Sequence, residues 1–284
     1  MIRRRRALGL NGRNAHIARN NPRWAIAEVK DKIVCKVRLA AADIAVPPTL
    51  HVVSSRREMR ALPSASLPDR FVAKPARGSQ GKGVVVVTGR RGHDVWITPD
   101  GLRSHRQLER EVDDMIDGIH SDTDTDRALF EPLLVAHPDL AALAPFGLPD
   151  IRIVCDDGRP LMAMMRVPTL SSGGRGNLHQ GGLGAAIDIS TGRIERAVVG
   201  GAEVARHPDT GAPMVDAIIP RWPELVDLAR RCGPATGLGY VGADLVVDAE
   251  FGALVLEVNA HPGLEIQNVC LQPLDPGAGD SRWK

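Results

Sequence analysis

Two carboxylates and one amide near the carboxyl end of the chain have the spacing of a metal site. Asp244 lies in the apolar run Gly242–Val247, and Glu257 and Asn259 lie two residues apart in the run Leu254–Asn259. Both runs are typical of β-strands, in which residues two apart share a face. If the strands pair, Asp244 can face the other two side chains, and such an oxygen-rich set suits Mg²⁺. The alternative is the solvated face of an ordinary hairpin.

A glycine-rich loop between two apolar runs could bind phosphate. Phe71–Lys74 is followed by Gly78-Ser-Gln-Gly-Lys-Gly83 and then by Val84–Val87. Successive backbone N–H groups in such a turn form a concave site for anions, and Lys74 ends the first run where its ammonium group could reach phosphate oxygens. The loop is not a Walker A motif, because that motif needs a helix and a Ser or Thr directly after Gly-Lys. A flexible hairpin tip is the alternative.

A glycine-rich segment that contains one arginine could act on a transferred group. Residues 171–182 contain Arg175, which could stabilise negative charge on a phosphoryl group, and His179, which could act as a general base. Asp150 and Arg152 begin the preceding strand, and the guanidinium of Arg152 could bind a carboxylate through two parallel hydrogen bonds. Surface salt bridges are a strong alternative for each arginine, since the chain has 30 Arg and only six Lys. A structural role is the alternative for the histidine.

The elements that must position these residues are a mixture of helices and strands, without internal repeats. Asp156-Asp157-Gly158 and Ser190-Thr-Gly192 predict hairpins, and residues 136–149, which carry three prolines, are expected to connect two lobes. Helices are predicted from Asp31 to residue 42 and over 104–119 and 223–231. Strands are predicted over 50–53, 70–74, 83–88, 128–135, 151–155, 161–167, 187–189, 194–199, 242–247 and 253–257.

Composition excludes several classes of protein. A net charge of +2 and an aromatic content of 3% argue against nucleic-acid binding, and the Arg cluster at residues 3–6 is expected to be a solvated terminus. No apolar run approaches the about 18 residues that a membrane-spanning helix needs. The four cysteines have no CxxC spacing and no secretion signal precedes them, so we expect reduced thiols in a cytoplasmic protein.

Taken in order, these motifs resemble the ATP-grasp superfamily, in particular RimK-like α-L-glutamate ligases and α-L-glutamate ligase-like proteins. The resemblance covers about residues 30–272, and its most specific parts are Glu257-Val-Asn-Ala-His-Pro-Gly-Leu-Glu265 and Asn177-Leu-His179. It implies an α+β protein of the ATP-grasp fold, in which two α/β lobes with antiparallel sheets clasp ATP. The implied parts are an N-terminal segment (1–30), a small lobe with the glycine-rich lid (31–130), a large lobe with the metal site (131–272) and a flexible tail (273–284).

The resemblance also assigns roles to individual residues. Lys32 and Lys74 match lysines that contact ATP phosphates, and Glu131 falls near the adenine-binding connection. Arg175 and Arg152 are implied as catalytic arginines. The implied ATP-binding residues are Lys32, Lys74, Gly78, Ser79, Gln80, Gly81, Gly83, Glu131 and Asp150, and the implied ligands of Mg²⁺, or of Mn²⁺ in its place, are Asp244, Glu257 and Asn259.

The activity implied by the resemblance is ATP- and Mg²⁺-dependent ligation of a carboxylate to an amine through an acyl phosphate. The substrates would be small molecules or peptides, for example glutamate and a peptide acceptor. The alternative is a non-catalytic ATP-binding module that regulates a partner protein. Only about 30 residues precede Lys32, so we expect the usual N-terminal pre-ATP-grasp domain to be largely absent. A partner or a second copy of the chain could supply its surface.

Overall fold

The computed structural model describes residues 10–79 and 81–272, and these residues form helices and three sheets. The helices are α1 (Leu10–Asn20), α2 (Arg23–Val29), α3 (Lys32–Ala41), α4 (Arg56–Ala61), α5 (His105–Ile116), α6 (Pro138–Leu143), α7 (Trp222–Thr236) and α8 (Glu265–Cys270). The strands are β1 (His51–Val53), β2 (Phe71–Pro75), β3 (Val85–Val87), β4 (Gly89–Arg91), β5 (Val95–Thr98), β6 (Gly101–Ser104), β7 (Ala128–Pro132), β8 (Asp150–Asp156), β9 (Arg159–Val167), β10 (Leu183–Ile187), β11 (Ile194–Val199), β12 (Ala202–Val204), β13 (Tyr240–Asp248) and β14 (Gly252–Asn259).

The structure divides into two units. The smaller unit comprises residues 30–34 and 47–134, and the larger unit comprises the rest of the described chain. Residues 35–46 were predicted in the small lobe, but they belong to the larger unit because Cys35 and Leu39 are buried in its core. The predicted flexible tail and the Arg cluster at residues 3–6 lie outside the described residues. None of the described helices has both the length and the hydropathy that crossing a bilayer requires.

Seven antiparallel strands form the sheet of the larger unit, in the order β12-β11-β10-β9-β8-β13-β14. The two predicted hairpins are confirmed, since β8 pairs with β9 and β10 pairs with β11. Asp157 and Gly158 have φ values of 49° and 70°. A two-residue type I′ turn requires positive φ at both positions, which explains why an Asp-Gly pair stands here.

Alternate residues of these strands face two separate cores. Ile151 and Ile153 of β8 point into the main core, which is covered by α7. Val154 points to the opposite face, where it joins Met164 of β9 and Ile17 of α1 in a smaller cluster. The strand period of two therefore gives the sheet one apolar face and one face that is apolar only in part. The charged residues of β8 and β13 lie on the second face.

Three of the cysteines converge in the main core. Cys35, Cys155 and Cys232 come from α3, β8 and α7, and all four cysteines of the chain are free thiols. Burial raises the pKa of Cys155 to about 12 and also raises the pKa of Cys232. These thiols therefore stay protonated at neutral pH and behave as small apolar side chains.

The smaller unit contains a four-stranded sheet in the order β1-β7-β2-β3 and a three-stranded sheet in the order β4-β5-β6. Helix α5 begins with a capping box formed by Ser104 and Gln107, which agrees with the predicted start of this helix. Its predicted end at Ile119 is wrong. Gly118 has a φ of 71°, which terminates the helix, and Ile119 is 64% exposed.

Residues 10–29 form α1 and α2, in a segment for which no helix is predicted from the sequence. Asn21, which follows α1, is 2% exposed. Its amide donates to the carbonyl oxygens of Tyr240 (2.7 Å) and Ala260 (3.0 Å) and accepts from the N–H of Tyr240 (2.9 Å). Arg13 donates to the carbonyl oxygen of Pro262. The N-terminal segment thereby holds the start of β13 and the residues that follow β14.

We expect Asn21→Ala to lower the free energy of unfolding by about 1–3 kcal/mol, because buried backbone groups of Tyr240 and Ala260 lose the bonds they make with this side chain. Urea denaturation measures this change. Asn14→Ala is the matched control, since Asn14 is exposed on α1. Equal urea midpoints for the two variants would contradict the role given to Asn21.

Candidate functional site

The register of two strands brings the predicted metal ligands together in the larger unit. Asp244 of β13 lies directly opposite Glu257 of β14, and Asn259 lies opposite Gly242. Residues that are directly opposite in an antiparallel pair share a face, as do residues two apart on one strand. The three predicted side chains therefore lie on one face of the sheet.

A β-bulge in β14 decides which face that is. The register shifts at Leu256, so that Val255 pairs with Leu245 and Glu257 pairs with Asp244. Val255 and Val258 both point into the main core. In an unbroken strand, Val255 and Glu257 would share a face, and the carboxylate would point into that core. The extra residue turns Glu257 to the other face.

Asp244 is the centre of a buried charge cluster. It is 3% exposed and accepts a forked pair of bonds from Arg152, with Nε at 2.7 Å from Oδ1 and Nη2 at 2.6 Å from Oδ2. Oδ2 also accepts from Nη2 of Arg166 at 2.8 Å and from the amide of Asn259 at 3.1 Å. Arg166 in turn donates from Nε to Asp150 at 2.5 Å. Two guanidinium groups thus hold one carboxylate in place.

The two carboxyl groups of this cluster have opposite pKa shifts. Burial works to raise the pKa of Asp244, but the positive charges of Arg152 and Arg166 outweigh it and lower the pKa to about 2. Burial raises the pKa of Asp150 to about 6, against the opposing effect of Arg166. Asp244 is therefore the firmly ionised member of the pair at neutral pH.

Arg152 is predicted to bind a carboxylate through two parallel hydrogen bonds, and Arg166 is not among the predicted site residues. In the structure, the forked geometry expected for Arg152 exists, but its partner is Asp244 of the protein itself. A signal for Arg166 was present, because it is a charged residue inside the apolar run Leu161–Val167. Without the strand register, its partners could not be named.

The predicted Arg175 lies in an exposed loop beside this cluster. A Cβ at the next residue, Gly176, would lie 3.4 Å from Oδ2 of Asp150 and 3.2 Å from Cβ of Arg166. The loop backbone thus runs against the cluster while the Arg175 side chain is solvent-exposed. The side chain of His179 is 75% exposed, and its Nε2 lies 3.8 Å from Oε1 of Glu265, which is beyond hydrogen-bond distance.

The smaller unit carries the predicted lysines. Nζ of Lys74 on β2 lies 2.5 Å from Oε2 of Glu131 on the neighbouring strand β7, and both side chains are largely buried. Glu131, predicted near the adenine-binding connection, therefore holds the Lys74 ammonium group. Lys32 begins α3, and its ammonium group donates to the carbonyl oxygen of Gly78 in the predicted lid.

The predicted lid joins β2 to β3, which pair as an antiparallel hairpin. Gly81 and Gly83 have φ values of 71° and 69°, a region that favours glycine. A Cβ at Gly83 would lie 2.3 Å from the imidazole of His120, whereas a Cβ at Gly81 would meet nothing within 4 Å. Ser79 is exposed, and Gln80 lies outside the described residues.

The donor set fits a hard divalent cation. Among the described residues, no three His, Cys, Asp or Glu side chains form a metal-binding group, and the predicted set has two carboxylates and one amide. Mg²⁺ commonly takes one or two carboxylates and completes its shell with water and phosphate oxygens. Asp244 accepts one of its four bonds at Oδ1 and three at Oδ2, so Oδ1 is the oxygen with more capacity for a metal ion.

We expect Asp244→Asn to lower the free energy of unfolding by about 3 kcal/mol, because it leaves Arg152 and Arg166 without the negative charge they share. Chemical denaturation measures the loss. The control is Asp216→Asn, which alters a surface pair with Arg193 (3.3 Å) and should cost less than about 1 kcal/mol. If both variants were equally stable, the buried cluster would not be a structural requirement.

A second pair of variants tests the packing of the lid. Gly83→Ala should destabilise the protein more than Gly81→Ala, because both replace a glycine of positive φ but only the first meets His120. We expect the shared backbone strain to cost about 1–2 kcal/mol, and Gly83→Ala to unfold at a lower urea concentration than Gly81→Ala. The additional change His120→Ala should recover the difference. Identical midpoints for the two single variants would refute the contact.

Comparison with known proteins gives the family. A model of the sugar-transfer associated ATP-grasp family matches residues 11–274. No match was found among curated proteins. Similar solved structures include ATP-grasp ligase PsnB complexed with minimal precursor, at 18% identity and a TM-score of 0.47, covering 90% of this chain and 60% of that one.

Two further structures are similar at the same level. D-alanine–D-alanine ligase from Bacillus anthracis complexed with ATP has 14% identity and a TM-score of 0.48, with 84% of this chain and 57% of that one covered. D-cycloserine synthetase DcsG has 16% identity and a TM-score of 0.48, with 88% and 69% covered. The chain thus spans about 60% of the length of the PsnB structure.

The family match covers most of the chain, and the predicted α+β fold with antiparallel sheets is confirmed. The chain belongs to the sugar-transfer associated ATP-grasp family.

Proposed function

We propose that this protein is an ATP- and Mg²⁺-dependent ligase that joins a carboxylate to an amine. Membership of an ATP-grasp family supports ATP-dependent ligation. The observation that carries the proposal is the register of β13 and β14, which puts Asp244, Glu257 and Asn259 on one face. A bulge at Leu256 is needed to achieve this, and bulges of this kind often re-aim side chains next to active sites.

Asp244, Glu257 and Asn259 would hold Mg²⁺, which supplies positive charge against the phosphate oxygens of ATP. Arg152 and Arg166 act through Asp244, because their guanidinium groups keep this carboxylate ionised and oriented. The amide nitrogen of Asn259 donates to Asp244, so its carbonyl oxygen is the atom available to a metal ion.

The phosphate-contacting role belongs to the lysines of the smaller unit. Glu131 holds the ammonium group of Lys74, and the Gly78 carbonyl holds that of Lys32. Both cations are thus positioned by the protein before a nucleotide binds, which lowers the cost of ordering them. The lid residues Gly78, Ser79, Gln80, Gly81 and Gly83 are proposed to cover the phosphates with backbone N–H groups.

The chemistry needs no nucleophile from the protein. An oxygen of the substrate carboxylate attacks the γ-phosphorus of ATP, the new O–P bond forms, and the bond to the β-phosphate oxygen breaks to release ADP. The amine nitrogen then attacks the acyl carbon, the C–O bond breaks, and phosphate leaves while the amine gives up a proton to solvent. Arg175, exposed beside the cluster, is proposed to neutralise charge on the transferred phosphoryl group.

Glutamate and a peptide or small acceptor remain the substrate pair to test first, on the resemblance to RimK-like ligases. A basic pocket beside Arg152 and His179 would have supported an acidic substrate. Arg152 is instead paired with Asp244, and His179 lies near Glu265, so this support is absent from the structure. The substrate assignment therefore rests on the sequence motifs.

A non-catalytic ATP-binding module is the second candidate. The observation in its favour is that two guanidinium groups already neutralise Asp244, which weakens its attraction for a metal ion. Such a module would bind ATP without turning over any acid and amine. The two candidates differ in one measurable property, the release of ADP in the presence of substrates.

We expect ADP release from Mg²⁺-ATP when amino acids and peptides are screened as substrates, with products identified by mass spectrometry. Glu257→Gln should reduce the rate at least a hundredfold while the urea midpoint stays near that of the native protein, because this carboxylate is only half-buried. Glu250→Gln, exposed in the turn between β13 and β14, is the matched control and should keep the activity. Undiminished ADP release by Glu257→Gln would show that the metal site is wrong, whereas ATP binding without turnover by the native protein would favour the regulatory module.

A further inference from the structure

We propose that the larger unit has a second anion site, which binds a small molecule carrying a phosphate group. The site is a cavity of about 440 Å³ between the β8–β9 turn and the C-terminal part of α7. The proposal does not depend on the ligase activity, because none of the described residues that line this cavity belongs to the proposed ATP or metal site. Its polar and apolar lining includes Gly158, Arg159, Arg230, Arg231, Pro234 and Ala235.

The backbone of the larger unit fixes the position of the cavity wall. The N–H of Asp157 donates to the carbonyl oxygen of Gly239 at 2.7 Å, which holds the β8–β9 turn against the end of α7. Nε of Arg230 donates to the carbonyl oxygen of Gly158 at 3.3 Å. Nη2 of Arg231 donates to the carbonyl oxygen of Ala42 at 2.6 Å. The two arginines of α7 are thus oriented by neighbouring backbone groups.

The charge of the lining favours an anion. Among the described residues, the lining carries three guanidinium groups, those of Arg159, Arg230 and Arg231, and two carboxylates, those of Asp157 and Asp227. Asp227 lies 3.5 Å from Arg231, so it offsets part of that positive charge. The planar guanidinium fork matches phosphate oxygens, which can accept two parallel N–H bonds from one arginine.

The size and the remaining lining favour a phosphate attached to an organic body. A volume of about 440 Å³ lies in the range of small-molecule sites and exceeds what a phosphate ion alone would fill. Ala42, Pro234 and Ala235 supply apolar surface next to the arginines. An uncharged body of a few carbon atoms could lie on this surface while its phosphate group faces the guanidinium groups.

The cavity is separate from the Asp244 cluster within the larger unit. The β8–β9 turn is at the opposite end of β8 from Asp150, and a strand of this length spans about 20 Å. Helix α7 also covers the main core, whereas Arg152 and Asp244 lie on the other face of the sheet. A ligand at the cavity therefore does not contact the predicted metal ligands.

Isothermal titration calorimetry on the full chain tests the site, with glycerol 3-phosphate and inorganic phosphate as probes at physiological ionic strength. Acetate tests whether a carboxylate can replace the phosphate group, and it should bind at least tenfold more weakly than glycerol 3-phosphate. We expect saturable binding of one glycerol 3-phosphate per chain. Arg159→Gln and Arg230→Gln should each weaken it at least tenfold, whereas Arg193→Gln, a surface arginine of the same unit, should leave it unchanged.

Ala235→Leu gives an independent test that keeps all three arginines. The larger side chain should fill the apolar part of the cavity and weaken glycerol 3-phosphate binding at least tenfold. This variant and Arg159→Gln decide the matter if Arg230→Gln fails to fold. Saturating Mg²⁺ and AMPPNP should not displace the probe. The proposal is overturned if no saturable binding is seen, if both of these variants bind as tightly as the native chain, or if AMPPNP competes with the probe.

Discussion

A buried carboxylate shared by two guanidinium groups is the interaction on which the site depends. Asp244 of β13 accepts bonds from Arg152 of β8, the adjacent strand, and from Arg166 of β9, the next strand along the sheet. Because a buried charge is costly without close partners, the register of three strands is fixed at this point. Arg166 extends the cluster to Asp150, against which the loop of residues 171–182 packs at Gly176. One ion cluster thus links the sheet register, the loop and the proposed metal ligands.

The strand that carries Glu257 is irregular because its residues are divided between the two faces of the sheet. Val255 and Val258 face the main core, while Glu257 lies opposite Asp244 on the other face. A regular strand cannot satisfy both demands, since Val255 and Glu257 are two apart, and the bulge at Leu256 resolves the conflict. Asn21 adds a second constraint from the N-terminal segment, because it binds backbone groups of Tyr240 and Ala260 at the ends of these strands. Packing and polar contacts together hold these two strands in place.

Sequence patterns predicted much of the fold where local chemistry is decisive. The turn at Asp157-Gly158 was predicted from a short-range signal, and the predicted start of α5 coincides with a capping box at Ser104 in the structure. Predictions failed where a local pattern was weak or was cut short. Helices α1 and α2 have no strong periodicity, α6 lies in a segment predicted as a connection, and α5 ends at Gly118 although an apolar residue continues the pattern. In each case tertiary contacts or a single backbone angle decided the outcome.

By itself, the sequence determined the residue types of the site, their order along the chain and the α+β character of the fold, because these follow from motif spacing and from the strand period. Only the tertiary structure decided which charges meet. It showed that Arg152 binds Asp244 of the chain itself, that Arg166 joins the cluster, and that Lys74 is held by Glu131. Side chains on different strands come together through register, bulges and burial. These depend on the packing of the whole unit and cannot be read from the spacing of residues along the chain.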